Sequence, residues 1–235
     1  LTVGGSTVLN MVYDCDIDSR MTRTQKRPLP SGLLRPTQAL TVGLLMTSLG
    51  CLWAFLLDAP FGAVVLAGVL LDVLVYTMWL KRRSPFSIVL GGLAGGMPVL
   101  AGRTLALGAP DGIGWLLALS VLLWIPTHML SFSIKYREDY ARAGIPTFPA
   151  KIGVCATRWV IAASTALAVL TMLHAGRLIG LAGPYYLAAA LIGALLIGLV
   201  LVGLVRPGKR LNFIVYKSAS AYMLASMLMI ILGGL

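Results

Sequence analysis

At 235 residues, 58% hydrophobic and only 11% charged, the chain lies far from the composition of a water-soluble domain, in which roughly a quarter of residues carry charge. Each bilayer crossing needs about 20 apolar residues, so the length holds seven or eight transmembrane helices with short connections and excludes a separate soluble domain. The formal net charge of +11 would suggest a nucleic-acid partner in a soluble protein, but here the basic residues sort by membrane face, so no nucleic acid is expected.

Residues 1–13 read as the end of an apolar helix, and because the chain opens at Leu1 an upstream piece is expected. Further helices are predicted at about 38–57, 61–80, 86–103, 112–134, 157–174, 182–205 and 214–234. They form one all-α transmembrane domain, 1–235, truncated at its amino terminus. All Lys and Arg except Arg103 and Arg177 fall in the connections 14–37, 81–85, 135–156 and 206–213 or at the helix ends beside them. By the positive-inside rule those connections face the cytoplasm of a multi-pass cell-membrane protein, and the turn at Asp58-Ala59-Pro60 faces outward. Cys15, Cys51 and Cys155 form no CxxC pair and read as small apolar fillers.

The chemistry-bearing residues gather at the basic end. Asn10, Asp14 and Asp18 follow one another at four-residue spacing, so a helix continuing through them would project all three from one face, with Asp16 pointing elsewhere. Such a stripe of oxygen ligands suits Mg²⁺, a hard cation that bridges to phosphate; the alternative is a solvated helix end paired with arginines. The following segment supplies Arg20, Arg23, Lys26 and Arg27 before Pro28 and Pro30 enforce a turn. Arginine forks and a divalent cation together can hold a diphosphate or turn it into a leaving group.

A second acidic and basic cluster, Lys135-Tyr136-Arg137-Glu138-Asp139-Tyr140, ends the helix at 112–134 and mirrors the first. A third, Tyr76 with Lys81, Arg82 and Arg83, ends the helix at 61–80. Asp72, one turn before Tyr76, is an acid inside an apolar run and needs either a wet cavity or a structural partner. His128 follows Pro126, which is expected to bend its helix; the imidazole either faces a cavity or makes a structural hydrogen bond. His174 reads as interfacial. Gly91-Gly92 and Gly95-Gly96 follow no strand and read as a close helix contact rather than a phosphate loop.

These residues resemble a known family. Asn10-xxx-Asp14-xxx-Asp18 with Arg23-Thr24-xx-Arg27-Pro28-Leu29 is similar to the first aspartate-rich motif of the UbiA superfamily of intramembrane prenyltransferases. The runs Tyr76 to Arg83, Gly91 to Pro98 and Tyr136-Arg137-Glu138-Asp139-Tyr140-xx-Ala143-Gly144-Ile145-Pro146 follow in the order of that family, closest to its haem-modifying branch, the protohaem IX farnesyltransferases. Ala143 stands where the wider superfamily often carries a second aspartate, a replacement the haem-modifying branch shares. Pro126-Thr127-His128-Met129-Leu130 and Pro146-Thr147-Phe148-Pro149 depart from that branch's usual wording.

The resemblance implies a nine-helix bundle whose first helix lies upstream of Leu1. It implies Mg²⁺, farnesyl diphosphate as donor and the vinyl group of haem B as acceptor, giving haem O, with a haem A synthase as downstream partner and the lipid bilayer as medium. Asn10, Asp14, Asp18 and Asp139 would hold the metal and diphosphate, with Asp14, Asp18 and Asp139 catalytic. Arg23, Arg27, Lys81 and Arg137 would contact phosphate, and Tyr76 and His128 would bind substrate. Two alternatives remain at this point: a prenyltransferase of the same superfamily acting on a quinone precursor or lipid, and a cation-coupled transporter with Asp14, Asp18, Asp72 and Asp139 along an ion path.

Overall fold

The computed structural model describes residues 1–234, and among them no strand occurs. In chain order the helices are α1 (Thr2–Tyr13), α2 (Cys15–Arg20), α3 (Pro36–Leu57), α4 (Ala59–Leu70), α5 (Ser87–Leu107), α6 (Gly112–Lys135), α7 (Arg137–Arg142), α8 (Phe148–Lys151), α9 (Val154–Ile179), α10 (Gly183–Val205) and α11 (Lys209–Gly233). Beyond α4 the same helix runs on as a π-helix over Leu71–Leu80, where the Lys81 N–H reaches back five residues to the Tyr76 carbonyl at 2.9 Å. Counting that continuous rod once, seven helices among the described residues are long and apolar enough to cross a membrane. The chain is a multi-pass membrane protein.

The predicted spans are all present, most of them longer. The helix predicted to end at 103 reaches Leu107, and the one predicted over 157–174 covers Val154–Ile179, because Gly108 and Gly180, both left-handed, stop these helices rather than the fading of apolar residues. Arg103 and His174 therefore lie inside helices rather than at their tips. Pro126 does not break α6, which runs unbroken from Gly112 to Lys135.

Chain contacts group into two compact units, Leu1–Pro110 with Tyr136–Thr147, and Asp111–Lys135 with the chain from Phe148 onward. In the first, α1 lies against α3 along a seam of small residues. A Cβ at Gly5 would come within 2.7 Å of the Thr47 backbone nitrogen, and one at Gly43 within 2.9 Å of Leu9, so glycine is what lets the backbones approach. Asp58 starts α4 by accepting the Phe61 N–H at 2.8 Å, satisfying a donor that no intrahelical carbonyl can reach.

The second unit is knit by α6, α9, α10 and α11. Val169, Leu196, Ala219 and Tyr222 form its buried cluster, and Trp124 packs on it while donating its indole N–H to the Ala219 carbonyl at 2.7 Å. The Thr127 and Thr165 hydroxyls, both buried, hydrogen-bond at 2.7 Å between α6 and α9. Serines and threonines recur inside while Leu56, Leu195 and Val205 stand exposed, the inverted pattern of a bundle whose solvent is lipid.

Candidate active site

The candidate site is built in the first unit, where α1 ends. Asp14 leaves helical geometry (φ −89°, ψ 5°), closing α1 and opening α2. The four-residue hydrogen-bond ladder nevertheless carries across, with Asp14 N–H to the Asn10 carbonyl at 2.9 Å and Asp18 N–H to the Asp14 carbonyl at 2.8 Å. The predicted continuous helix is thus interrupted at one residue while its spacing is preserved. Asp14 and Asp18 are buried, 6% and 7% exposed; Asp16 is exposed, as the spacing requires.

Each member of the stripe has a partner from elsewhere in the chain. The Asn10 side-chain amide donates to Asp72 at 2.9 Å, so Asp72 has a structural partner and its helix is tied to the site. Lys81 forms a short ion pair with Asp14, and Arg27 donates to Asp18 at 2.8 Å. The Thr24 hydroxyl donates to the Asp18 carbonyl at 2.9 Å and, with buried Met21 and Leu29, folds the loop back so that Arg27 can reach. Arg82 grips Asp16 through two hydrogen bonds, at 2.9 and 2.7 Å, and stacks 4.6 Å over the Tyr13 ring. This exposed pair is peripheral, so Asp16→Ala is expected to change stability by less than about 1 kcal/mol and leave turnover near wild type, as a melting curve and a rate assay would register.

The second acidic segment joins the same unit through a core of its own. Ile17 and Met21 pack with Ala143 and Ile145, and Tyr140 lies against them. Asp139, 8% exposed, accepts from Arg142 one turn along α7, and Arg142 also donates to the Thr22 hydroxyl at 2.8 Å. Gly144 (φ 73°) supplies the left-handed turn that ends α7, letting the Ile145 N–H bond the Tyr140 carbonyl at 3.0 Å. Ala143 is buried among those apolar side chains, where a second aspartate would place an unpaired charge.

The electrostatics of the two acids differ in sign. Burial pushes the Asp14 carboxyl above the ordinary carboxylate range, and the neighbouring Asp18 pushes the same way, overcoming Lys81 and Arg82. Burial also pushes Asp139 upward, but hydrogen bonds from Arg142 and Thr22 outweigh it and hold Asp139 below the ordinary range. A carboxyl with a raised pKa takes up its proton earlier as pH falls. Activity that needs ionised Asp14 is therefore expected to decline on the acid side at a higher pH than an ordinary aspartate would set. Lys81→Met removes the main group lowering Asp14, so the acid limb of a normalised pH–rate profile should move to still higher pH; an unmoved limb would detach it from Asp14.

Tyr140, quoted within the motif but given no role there, is raised by burial and by nearby Tyr76 and Asp18, against Arg23 and Lys81, so both segments act on one phenol. Thr22 and Arg142 also carried no sequence signal beyond position, Arg142 being three residues from Asp139 on a short helix. Of the other predicted residues, Lys81 sits 5.9 Å over the Tyr76 ring and Arg23 5.5 Å over Tyr136. Gly91 gives way to the Tyr76 ring, whose Cγ a Cβ there would meet at 2.8 Å, in line with the close-contact reading of that glycine. Arg137 is exposed and pairs with nothing among the described residues. His128 belongs to the second unit, stacked between Trp124 and Tyr216 at centroid distances of 5.0 and 4.4 Å, with the Ser220 hydroxyl 3.1 Å from Nδ1.

Among the described residues no three acidic, histidine or cysteine side chains converge as a ready metal cluster. Two buried oxygens, Asn10 Oδ1 and Asp14 Oδ1, have no hydrogen-bond partner. Hard, unsatisfied oxygen donors four residues apart are the kind of ligand a magnesium ion takes, with water and phosphate completing its shell. The donor set fits such an ion.

Known proteins share both sequence and fold. A "Protoheme IX farnesyltransferase" of Archaeoglobus fulgidus is 45% identical over 166 residues, 71% of this chain and 59% of that protein. One from Synechococcus sp. (strain JA-3-3Ab) is 38% identical over 237 residues, all of this chain and 70% of that protein. The match thus spans less than two thirds of the length of the Archaeoglobus relative. Among solved structures, a digeranylgeranylglyceryl phosphate synthase superposes with TM-score 0.80 at 20% identity, covering 99% of this chain and 81% of that one. A UbiA homologue from Archaeoglobus fulgidus bound to DMAPP and Mg²⁺ gives TM-score 0.63 at 14% identity, covering 96% and 82%. The model of the UbiA prenyltransferase family matches residues 1–228, and the chain belongs to that family.

Proposed function

We propose that this chain transfers a farnesyl group from farnesyl diphosphate to a vinyl group of haem B, giving haem O. The observation that carries the chemistry is the union, in one compact unit, of buried Asp14 and Asp18 with buried Asp139, each beside a cation, around the shared Ile17, Met21, Ala143 and Ile145 core. The acceptor rests on the relatives named protohaem IX farnesyltransferase.

Asn10, Asp14, Asp18 and Asp139 would hold Mg²⁺ with the diphosphate. When bound, the ion would neutralise phosphate oxygens and make diphosphate a better leaving group. Arg27, Lys81 and Arg142 already lie on the carboxylates and are placed to exchange them for phosphate oxygens, with Arg23 near at hand and Arg137 free to join. Tyr76 and Tyr140 would flank the allylic carbon as the carbon–oxygen bond breaks, their ring faces favouring positive charge. The vinyl electron pair then forms the new carbon–carbon bond, water adds at the adjacent carbon and a proton is lost. His128, fixed between two rings, is proposed as an acceptor-side contact. The acidic and basic connections are proposed to face the cytoplasm, with a haem A synthase consuming the product.

Mass spectrometry of haem after incubating the purified protein with farnesyl diphosphate and Mg²⁺ tests this. A product heavier than haem B by a farnesyl group and one hydroxyl group, absent when the metal is chelated, is expected. Diphosphate release only with a quinone precursor would overturn the acceptor, and ion flux without diphosphate release would overturn the enzyme.

A further inference from the structure

Along the contact between α6 and α11, inside the second unit, a line of half-buried rings runs from Trp124 through His128 and Tyr216 to Phe213. The two helices are antiparallel there, since Trp124 meets Ala219 while Lys135 meets Phe213. The line ends in two ammonium groups on one ring: Lys135 Nζ lies 3.8 Å and Lys217 Nζ 5.1 Å from the Phe213 centroid, and both lysines are exposed. Like charges so placed repel, and a ring face offers an ammonium no oxygen for its N–H donors. A ligand carrying two carboxylates would answer both conditions.

His128 is set for a second kind of contact. Trp124 and Tyr216 cover its two faces, at interplanar angles of 19° and 25°, so the imidazole edge is what it offers to a further partner. The Ser220 hydroxyl lies 3.1 Å from Nδ1 and donates its one proton to the Tyr216 carbonyl at 3.3 Å. Towards the imidazole its oxygen can then only accept, so Nδ1 carries the hydrogen and Nε2 keeps a lone pair, the form of histidine that binds a metal. An imidazole ligating iron stands upright on a porphyrin plane, and the stacked Trp124 and Tyr216 rings would meet that plane edge-on, a favoured aromatic contact. Lys135 lies seven residues beyond His128 on α6, about 10 Å along the axis, comparable with the reach from the centre of a porphyrin to its propionate carboxylates. Lys217 reaches back one turn along α11 to the same Phe213 ring.

We propose that Lys135 and Lys217 seat the two propionates of the acceptor porphyrin, with its iron on His128 Nε2 and its plane across the edges of Trp124 and Tyr216. Ser220 is a positioning residue that acts through the tautomer of His128. The proposal rests on haem B being the acceptor and adds where and how it is held. The test is a spectroscopic titration of the purified protein in detergent with haem B, its dimethyl ester and iron-free protoporphyrin IX. Wild type should bind haem B with a shifted Soret band and hold it about tenfold tighter than the ester. Lys135→Met and Lys217→Met should each weaken haem B binding by about three- to tenfold, as loss of a charge-assisted hydrogen bond predicts, and leave the ester unchanged. Lys135→Arg and Lys217→Arg should recover most of that loss. His128→Ala should abolish the Soret shift yet spare protoporphyrin IX, and Ser220→Ala should diminish the shift with the same exemption. Both lysines are exposed, so their variants test the seat without disturbing the core. Equal affinity of wild type for haem B and its ester, or lysine variants that bind haem B as wild type does, overturns the propionate seat. A Soret shift that survives His128→Ala overturns the iron contact. Either result beside continued haem O formation leaves the transferase reading standing, whereas no haem binding, with farnesyl transfer to a quinone precursor, removes that acceptor and this proposal with it.

Discussion

Asp14→Asn is expected to lower the turnover number for prenyl transfer by about 100- to 1,000-fold, the range seen when one group that stabilises developing charge is deleted. The substitution keeps the shape of the side chain and takes away its charge. Asp14 Oδ1 is buried and unpartnered while its other oxygen engages Lys81, so the residue joins an orphan ligand to a cation in one group. Losing the charge weakens any magnesium held there and leaves Lys81 without its counter-ion. The concentration of Mg²⁺ giving half-maximal rate should therefore rise as well. Asp139→Asn should behave alike if the two segments serve one diphosphate, and the double variant should be little worse than either single, since groups acting as a unit do not add. Near-wild-type turnover in both single variants would remove the basis of the transferase reading. Asp16→Ala is the built-in comparison: a neighbouring position, the same charge, and turnover near wild type.

Gly91→Ala is expected to destabilise the protein by roughly 1–3 kcal/mol, the cost of forcing a methyl group into a filled space. The added Cβ would fall on the Tyr76 ring, 2.8 Å from Cγ and 3.0 Å from Cε2, and a ring has no flexible end that can give way. Tyr76 sits on the π-helical stretch that also delivers Lys81 to Asp14, so displacing the ring should depress turnover beyond the loss of folded protein. Gly102 on the same helix meets nothing within 4 Å of its Cβ position. There Gly102→Ala should be neutral or should raise stability by up to about 1 kcal/mol, through helix propensity alone. Thermal unfolding in one detergent, with turnover per folded molecule, compares the two. Equal melting temperatures would show that the Tyr76 ring can move aside.

Much of this molecule could be read without coordinates because a bilayer leaves few choices. An apolar run of about 20 residues must be helical to satisfy its own backbone, and the distribution of lysine and arginine then orders the crossings. The same holds for Asn10, Asp14 and Asp18: four-residue spacing is a local property, and it survived the break at Asp14. The break itself was not legible, since nothing in the side chains around Asp14 announces a single non-helical residue. Nor was the π-helical stretch over Leu71–Leu80, whose largely apolar composition would suit an ordinary α-helical span as well.

From the amino-acid order alone came the membrane, the number of crossings, the basic end and the three polar segments gathered there, all set by short-range periodicity and by the cost of burying charge. Tertiary structure alone decided the partnerships: Lys81 with Asp14, Arg27 with Asp18, Arg142 and Thr22 with Asp139, and Asn10 with Asp72, while Arg137 stays exposed. It also placed His128 between two aromatic rings. Such pairings join residues tens of positions apart, and which cation meets which carboxylate depends on how helices pack through contacts like Gly5 on Thr47 and Gly91 on Tyr76. Periodicity says which face of a helix is polar; only packing says what that face meets.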